Sequence, residues 1–431
     1  MTTIRQAALL VFAFSAAAFG FDQTWSESYA QEAAAANKSC TAKQYPECRQ
    51  HLLRLRELLD GRADIVYTLA GVEALLGNKD AALEALAIYS KSGLTFADPA
   101  AVPDLASIKE TPEFKTIVDR VKAARRPISN SKPFATLPEK DLISEDVAYD
   151  PVSKRFFISS VRHHKILSLD GKGKFADFVP DGQPDIWAIL ALHVDTKRHV
   201  LWATTAAMPE SIGYTAALDG RSALLKYSLD RGTLQKRYDV PIGGKHVLGD
   251  MTVSTAGDVY VSDGYGEVYW LDHHQDKLEI LIGKGVFRSP QTPALSPDER
   301  RLFVPDYSRG ISIVDLATKQ VKLLEHPKEL SLGGIDGLYL NGKTMIAVQN
   351  GTAPPRIIRM TLDDGLTRVT HWDTLEANSP YLGTPTHGVF VDGKFYFLAN
   401  AGWDRMTNDG KVKEGATFES PTIRVIARPN Q

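Results

Sequence analysis

The sequence predicts a mainly β protein, a six-bladed β-propeller preceded by a small α-helical domain. Three observations predict it. One β unit recurs six times between Val147 and Val389, the stretch before it carries apolar residues at three- and four-residue spacing, and a polar, proline-bounded segment separates the two. Each copy of the unit is a short apolar strand, a polar turn, a second apolar strand ending in a turn residue, and a third strand. Gly249-Asp250-Met251-Thr252-Val253 leads to Val259-Tyr260-Val261-Ser262-Asp263 and then to residues 267–272. Aligned on the first apolar residue, the six anchors are Val147, Leu192, Met251, Pro293, Leu338 and Val389, separated by 45, 59, 42, 45 and 51 residues. A β unit at this period marks propeller blades.

Taken in order, residues 1–30 read as a signal peptide. Arg5 precedes the apolar run 7–18, which is too short to span a bilayer, and Ala18/Gly20 or Ser28/Ala30 offer small residues for cleavage. An apolar tail, helical or disordered, is the alternative. No second apolar run is long enough for a membrane span, so a periplasmic or secreted protein is expected. Cys40 and Cys48 are the only cysteines. They form a disulfide if the compartment is oxidising, or remain two partly buried thiols.

Residues 31–126 form the helical domain. The run 49–59 has helical periodicity, and residues 65–76 and 80–90 form a hairpin broken at Gly77-Asn78. Ala70, Ala74, Ala81, Ala82 and Ala85 are small enough to let paired helices approach closely. Tyr67-Thr68-Leu69-Ala70, Leu75-Leu76-Gly77-Asn78 and Ala81-Ala82-Leu83 resemble a degenerate tetratricopeptide pair over about two repeats. Residues 127–142 are a linker plus a closing strand: the sixth copy supplies only residues 389–391, 394–398 and 422–426, so Phe134-Ala135-Thr136-Leu137 is expected as its outer strand. The propeller covers residues 143–431.

With 50 basic against 52 acidic residues and no basic stripe, nucleic acid is excluded as a partner. Gly-x-Ser-x-Gly, P-loop and dinucleotide fingerprints are all missing from the sequence. In a propeller the first strand of each blade lines the channel. The residues two places before the anchors therefore form a ring at its mouth: Glu145, Leu190, Gly249, Gln291, Asp336 and His387, with Asp250 one place further in. Oxygens converging on one axis suit a divalent cation, Ca²⁺ first, with Zn²⁺, Mg²⁺ and Mn²⁺ as alternatives. The same groups could instead cap strand starts around a water-filled channel.

Glu145-Asp146-Val147-Ala148-Tyr149-Asp150-Pro151, Pro290-Gln291-Thr292-Pro293-Ala294-Leu295-Ser296-Pro297-Asp298 and Ile335-Asp336-Gly337-Leu338 resemble the senescence-marker-protein/gluconolactonase (regucalcin-like) family, over roughly residues 140–428. That resemblance implies a divalent metal held by Glu145, Gln291 and Asp336, with Asp336 also the catalytic residue of lactone hydrolysis. Gln291 stands where the family has Asn, a departure of one methylene. Two long insertions, 206–222 and 403–421, follow second strands and so emerge over the same face. Asp250, His387, Trp403 and Tyr214 are the candidate substrate contacts. Asp263, Asp306, Asn350 and Asn400, which end second strands, read as turn residues.

Two functions follow as expectations. The first is an exported metal-dependent lactone hydrolase acting on a small-molecule substrate. The second is a non-catalytic protein whose propeller binds a ligand while its helices recruit a protein partner.

Overall fold

The computed structural model describes residues 24–427 and 429. It divides into two units, one of residues up to Arg125 together with Lys328–Leu332, the other of Arg126–Pro327 and the residues from Gly333 on.

The first unit is helical: α1 (Trp25–Thr41), α2 (Tyr45–Leu58), α3 (Ala63–Leu75), α4 (Lys79–Lys91) and α5 (Pro112–Ala124). The apolar run 7–18 and the Ala18/Gly20 cleavage site lie outside the described residues. The helical unit begins six residues earlier than the sequence reading placed it. Thr24 and Glu27 form a capping box, in which the Thr24 hydroxyl accepts from the Glu27 N–H and the Glu27 carboxylate accepts from the Thr24 N–H. Tyr29, Ala33 and Ala36 then bury one face of α1 against Leu52, Leu55 and Leu69, so cleavage after Ala30 would remove the cap and the first turn. A Cys40–Cys48 disulfide joins the end of α1 to the start of α2. Closing so short a loop contributes roughly 2–3 kcal/mol in the chain-entropy picture. Ala70 and Ala74 meet Ala82, Ala85 and Leu86 between α3 and α4, where small side chains allow the close approach.

The second unit is a six-bladed β-propeller. Five blades are antiparallel meanders read straight from the chain. Blade one runs Val147–Asp150, Arg155–Ser159, Ile166–Leu169, Phe175–Val179; blade two opens with Ala188–Asp195, blade three with Leu248–Val253, blade four with Ala294–Leu295 and blade five with Ile335–Asn341. Blade six combines Gly388–Val391, Lys394–Ala399 and Thr422–Ile426 with Ser131–Thr136, which pairs with Thr422–Ile426 as its outer strand. This pairing covers the edge that Thr422–Ile426 would otherwise present and closes the ring of blades. The segment before it has a second job that the sequence did not reveal: Ile128–Ser129 adds a fifth strand to blade five beside Val369–Ala377.

All six anchors line one central cavity of about 340 Å³, together with their neighbours on the six first strands. Apolar clusters fill the spaces between adjacent blades; Phe157, Ile166, Leu201, Leu225 and Tyr227 are among the buried residues between blades one and two. Among the described residues no helix is long and apolar enough to cross a membrane.

Candidate functional site

Three first strands carry register irregularities at their channel-mouth ends, between Ile189 and Leu192, Leu248 and Asp250, and Ile335 and Gly337. A bulge there turns a side chain that would otherwise lie between blades towards the axis. In blade five the displaced residue is Asp336. In blade three the shift leaves Gly249 unpaired and sets Asp250 against Ser262.

His387, ahead of blade six's first strand, is the hub. Its side chain is 1% exposed, with Nε2 at 3.0 Å from Asp250 Oδ1 and 3.8 Å from Asp336 Oδ1. Nδ1 lies 3.8 Å from Asp146 Oδ1 and has no hydrogen-bond partner. The backbone N–H of His387 donates to the Glu145 carbonyl, which ties blade six to blade one. Glu145, Asp336 and His387 each bring one ligand atom within 4.8 Å of the other two. Four carboxylates, those of Glu145, Asp146, Asp250 and Asp336, thus surround one imidazole.

Each carboxylate is also held from outside the cluster. The Trp403 indole N–H donates to Glu145 Oε2. Asp146 accepts from the backbone N–H groups of Val147 and Leu192, both at 2.7 Å. The Thr292 hydroxyl donates to Asp250 Oδ1 at 2.8 Å. The Asn350 amide donates to Asp336 Oδ2, and its oxygen accepts from the Tyr307 hydroxyl at 3.0 Å.

So much charge in so little water moves the acidities. Burial, and after it the Asp336 carboxylate, push the Glu145 carboxyl up to about 8, although part of the residue stays exposed. Burial raises Asp146 to about 6 against the opposing pull of His387 and the two backbone donors. For His387 burial works against the charged ring, but the Tyr339 hydroxyl and the Asp250 and Asp336 carboxylates outweigh it. Its pKa stands well above the ordinary imidazole value.

A divalent cation fits these residues. One imidazole nitrogen and two carboxylates converge, and without a cation the His387 ring supplies positive charge to the acidic cluster. A nitrogen donor suits Zn²⁺ or Mn²⁺ better than Ca²⁺, which takes oxygen ligands.

Of the residues singled out from sequence, Glu145, Asp250, Asp336 and His387 come together, and Trp403 reaches them. Gln291 does not join them by its amide nitrogen, which donates to the Ser289 carbonyl and hydroxyl at 3.2 and 2.9 Å. Tyr214 is half-buried in its loop beside Asp219, Lys245 and Tyr265, with no hydrogen bond to the cluster. Asn350 does more than end a strand: it orients Asp336. Asn350 is legible in the sequence only as a strand-end residue and Thr292 only as part of the 290–298 motif, because their bonds run between strands or between blades. The two insertions do meet above the mouth: a Cβ on Gly410 would fall on the Pro209 carbonyl. Met208, Trp403 and Phe418 pack there against buried Met406 and Leu190.

In comparisons with known proteins, the chain matches no family model and no curated sequence. Solved structures resemble it at low identity. A gluconolactonase from Xanthomonas campestris is 13% identical, covers 70% of this chain and 88% of its own, and gives a TM-score of 0.46. A luciferin-regenerating enzyme is 12% identical, with coverage of 68% and 95% and a TM-score of 0.47. Virginiamycin B lyase from Staphylococcus aureus is 14% identical, with coverage of 62% and 80% and a TM-score of 0.43. Likeness at this level says nothing about activity.

Proposed function

We propose that the propeller is an exported, cation-dependent hydrolase of the lactonase type, with its reacting atoms at the channel mouth. The observation that carries this reading is the convergence of Glu145, Asp336 and His387 from blades one, five and six within 4.8 Å. When bound, a divalent ion held by these three side chains would polarise a lactone carbonyl and favour ionisation of water.

The protein's own groups supply the rest. Asp336, oriented by Asn350 and through it by Tyr307, accepts a proton from the attacking water. Asp250, fixed by Thr292, stands beside His387 Nε2 and accepts its proton in the metal-free protein, a proton that the ring must give up before it can hold an ion. Trp403 holds Glu145 in place and, with Met208 and Phe418, covers the mouth with apolar surface that excludes bulk water. Export belongs to the same reading and rests on Arg5, the apolar run after it and the Cys40–Cys48 bridge, since disulfides persist in oxidising compartments.

Elemental analysis of the purified protein, with a screen of aldonolactones in added Ca²⁺, Zn²⁺ or Mn²⁺, tests the proposal. A stoichiometric ion with metal-dependent ring opening is the expected result. Finding neither would sink it.

One observation favours a second reading, in which the propeller binds a ligand without turning it over. The Gln291 amide nitrogen donates to Ser289, and Gln291 stands where the resembled family has the shorter Asn. In that reading the two hairpins α1–α2 and α3–α4 act as tetratricopeptide-like repeats that recruit a protein.

A further inference from the structure

Blade three encloses a second group of metal-ligating side chains, away from the channel axis. His246 precedes its first strand, Asp263 ends its second strand (Val259–Asp263) and Glu267 leads into its third (Val268–Asp272). The turn between them is tightly built. Asp263 Oδ1 accepts from the backbone N–H groups of Val247 and Tyr265, both at 3.0 Å, and the Gly264 N–H donates to the Val247 carbonyl. Asp263 Oδ2 is 2.6 Å from His246 Nδ1, and the Tyr269 hydroxyl lies 3.5 Å from the same nitrogen.

The three residues are 3%, 0% and 1% exposed, and one ligand atom of each lies within 4.8 Å of the other two. Yet neither carboxylate oxygen of Glu267 has a hydrogen bond. Its nearest counter-charge is Lys284 Nζ, 3.4 Å from Oε1 on a side chain that is 60% exposed. His246 Nε2 is likewise buried without a partner, and the residue borders a cavity of about 390 Å³ with Trp187, Arg221 and Arg237. A carboxylate buried with one long ion pair and no well-formed hydrogen bond is a costly arrangement in a protein interior, and in a folded chain such a group calls for an ion or a water.

We propose that His246, Asp263 and Glu267 bind a divalent ion of the Zn²⁺ class, which clamps the chain entering blade three to the turn between its second and third strands. One imidazole nitrogen and two carboxylates form a borderline donor set, suited to Zn²⁺ and poor for Ca²⁺. Three protein donors leave the fourth tetrahedral position to water, and their burial suits an ion that stays in place. Binding displaces the proton that His246 and Asp263 now share, and Lys284 swings out to solvent as Glu267 takes the ion. The site shares no residue with the channel mouth, so it stands whether or not the lactonase reading does.

The test uses the full chain in a Glu145→Gln/Asp336→Asn background, which removes two of the three converging donors at the channel mouth, and Zn²⁺ alone as the probe. Calorimetry and elemental analysis are expected to find one ion per chain. Adding His246→Asn or Glu267→Gln should weaken that binding by roughly 100-fold or more. Zinc-edge anomalous diffraction from wild-type crystals should place a peak between the three side chains. A background variant that melts cooperatively but binds no Zn²⁺ overturns the proposal. If that variant does not fold, the anomalous map decides alone: a peak among His246, Asp263 and Glu267 supports the site, and no peak there refutes it.

Discussion

The channel mouth and the interior of blade three each gather carboxylates round one buried histidine, but they neutralise the charge differently. At the mouth every carboxylate has a donor of its own, from Trp403, from backbone N–H groups, from Thr292 or from Asn350, and the His387 ring provides positive charge at the centre. In blade three Asp263 takes the available donors, and Glu267 is left with a solvent-exposed lysine. A site whose carboxylates are individually oriented is ready to act on something that enters and leaves. A site whose buried carboxylate has only an exposed lysine for a partner is incomplete until something stays. The first arrangement suits chemistry and the second suits a permanent clamp.

The largest expected effect breaks this contrast at its centre. His387→Ala in metal-free protein removes the positive charge beside the buried Asp146, Asp250 and Asp336 carboxylates and should cost about 3–5 kcal/mol in urea denaturation. His246→Ala, beside an Asp263 that keeps its backbone donors, should cost less, about 1–3 kcal/mol. Equal losses would mean that the two histidines do the same structural work.

Asp336→Asn should lower lactone turnover by about 10²–10⁴, the usual contribution of a positioned base. The fold should survive, because relief of repulsion with Glu145 offsets part of the lost bonding. Glu267→Gln should leave turnover nearly unchanged. Steady-state rates on both variants, with circular dichroism as a check on folding, separate the two sites.

Stability against pH sharpens the comparison further. Glu145 is raised from 4.5 to about 8 in the folded state, so the native protein holds a proton that the unfolded chain has lost. That contribution is complete below about pH 4.5 and is lost as the pH rises through 8. His387, raised above its ordinary 6.5, acts in the same direction: its contribution is present below 6.5 and is lost above its folded value. Metal-free protein should therefore melt several degrees lower at pH 8.5 than at pH 5.5, and Zn²⁺ should flatten the profile. Differential scanning calorimetry with and without chelator reads this directly. A metal-free profile rising towards pH 8.5 would contradict the cluster's electrostatics.

The smallest effect concerns the lid. Trp403→Phe removes one donor to Glu145 while keeping the apolar cover, and should weaken substrate or metal binding by about 1–2 kcal/mol. An unchanged KM and metal affinity would show that Trp403 only packs.

Much of this was legible in the sequence because the blades repeat. Once Val147, Leu338 and Val389 were aligned as equivalent positions, Glu145, Asp336 and His387 fell on the same ring without any knowledge of contacts. The six anchors share one cavity because strand alternation carries them there. What stayed hidden depends on side-chain direction or on contacts across the fold. The Gln291 rotamer is decided by Ser289, Asn350 reaches Asp336 across a bulged pair of strands, and Tyr214 sits where an irregular loop puts it. Trp25–Thr41 was partly hidden for another reason: its Thr24/Glu27 cap, a readable signal in principle, follows an apolar run read as a signal peptide. The His246–Asp263–Glu267 group escaped notice because Asp263 satisfies the rules of a turn residue by itself.

The central claim, that the channel mouth is a cation-dependent hydrolytic site, is tested most directly by initial rates of aldonolactone ring opening. Metal-stripped protein carrying His246→Asn would be titrated with Zn²⁺ or Mn²⁺, so that ion binding reports on the mouth alone. Activity is expected to rise from background and saturate near one equivalent, and to stay at background when Asp336→Asn is added. No turnover at any metal concentration, or turnover that is indifferent to Asp336→Asn, would contradict it.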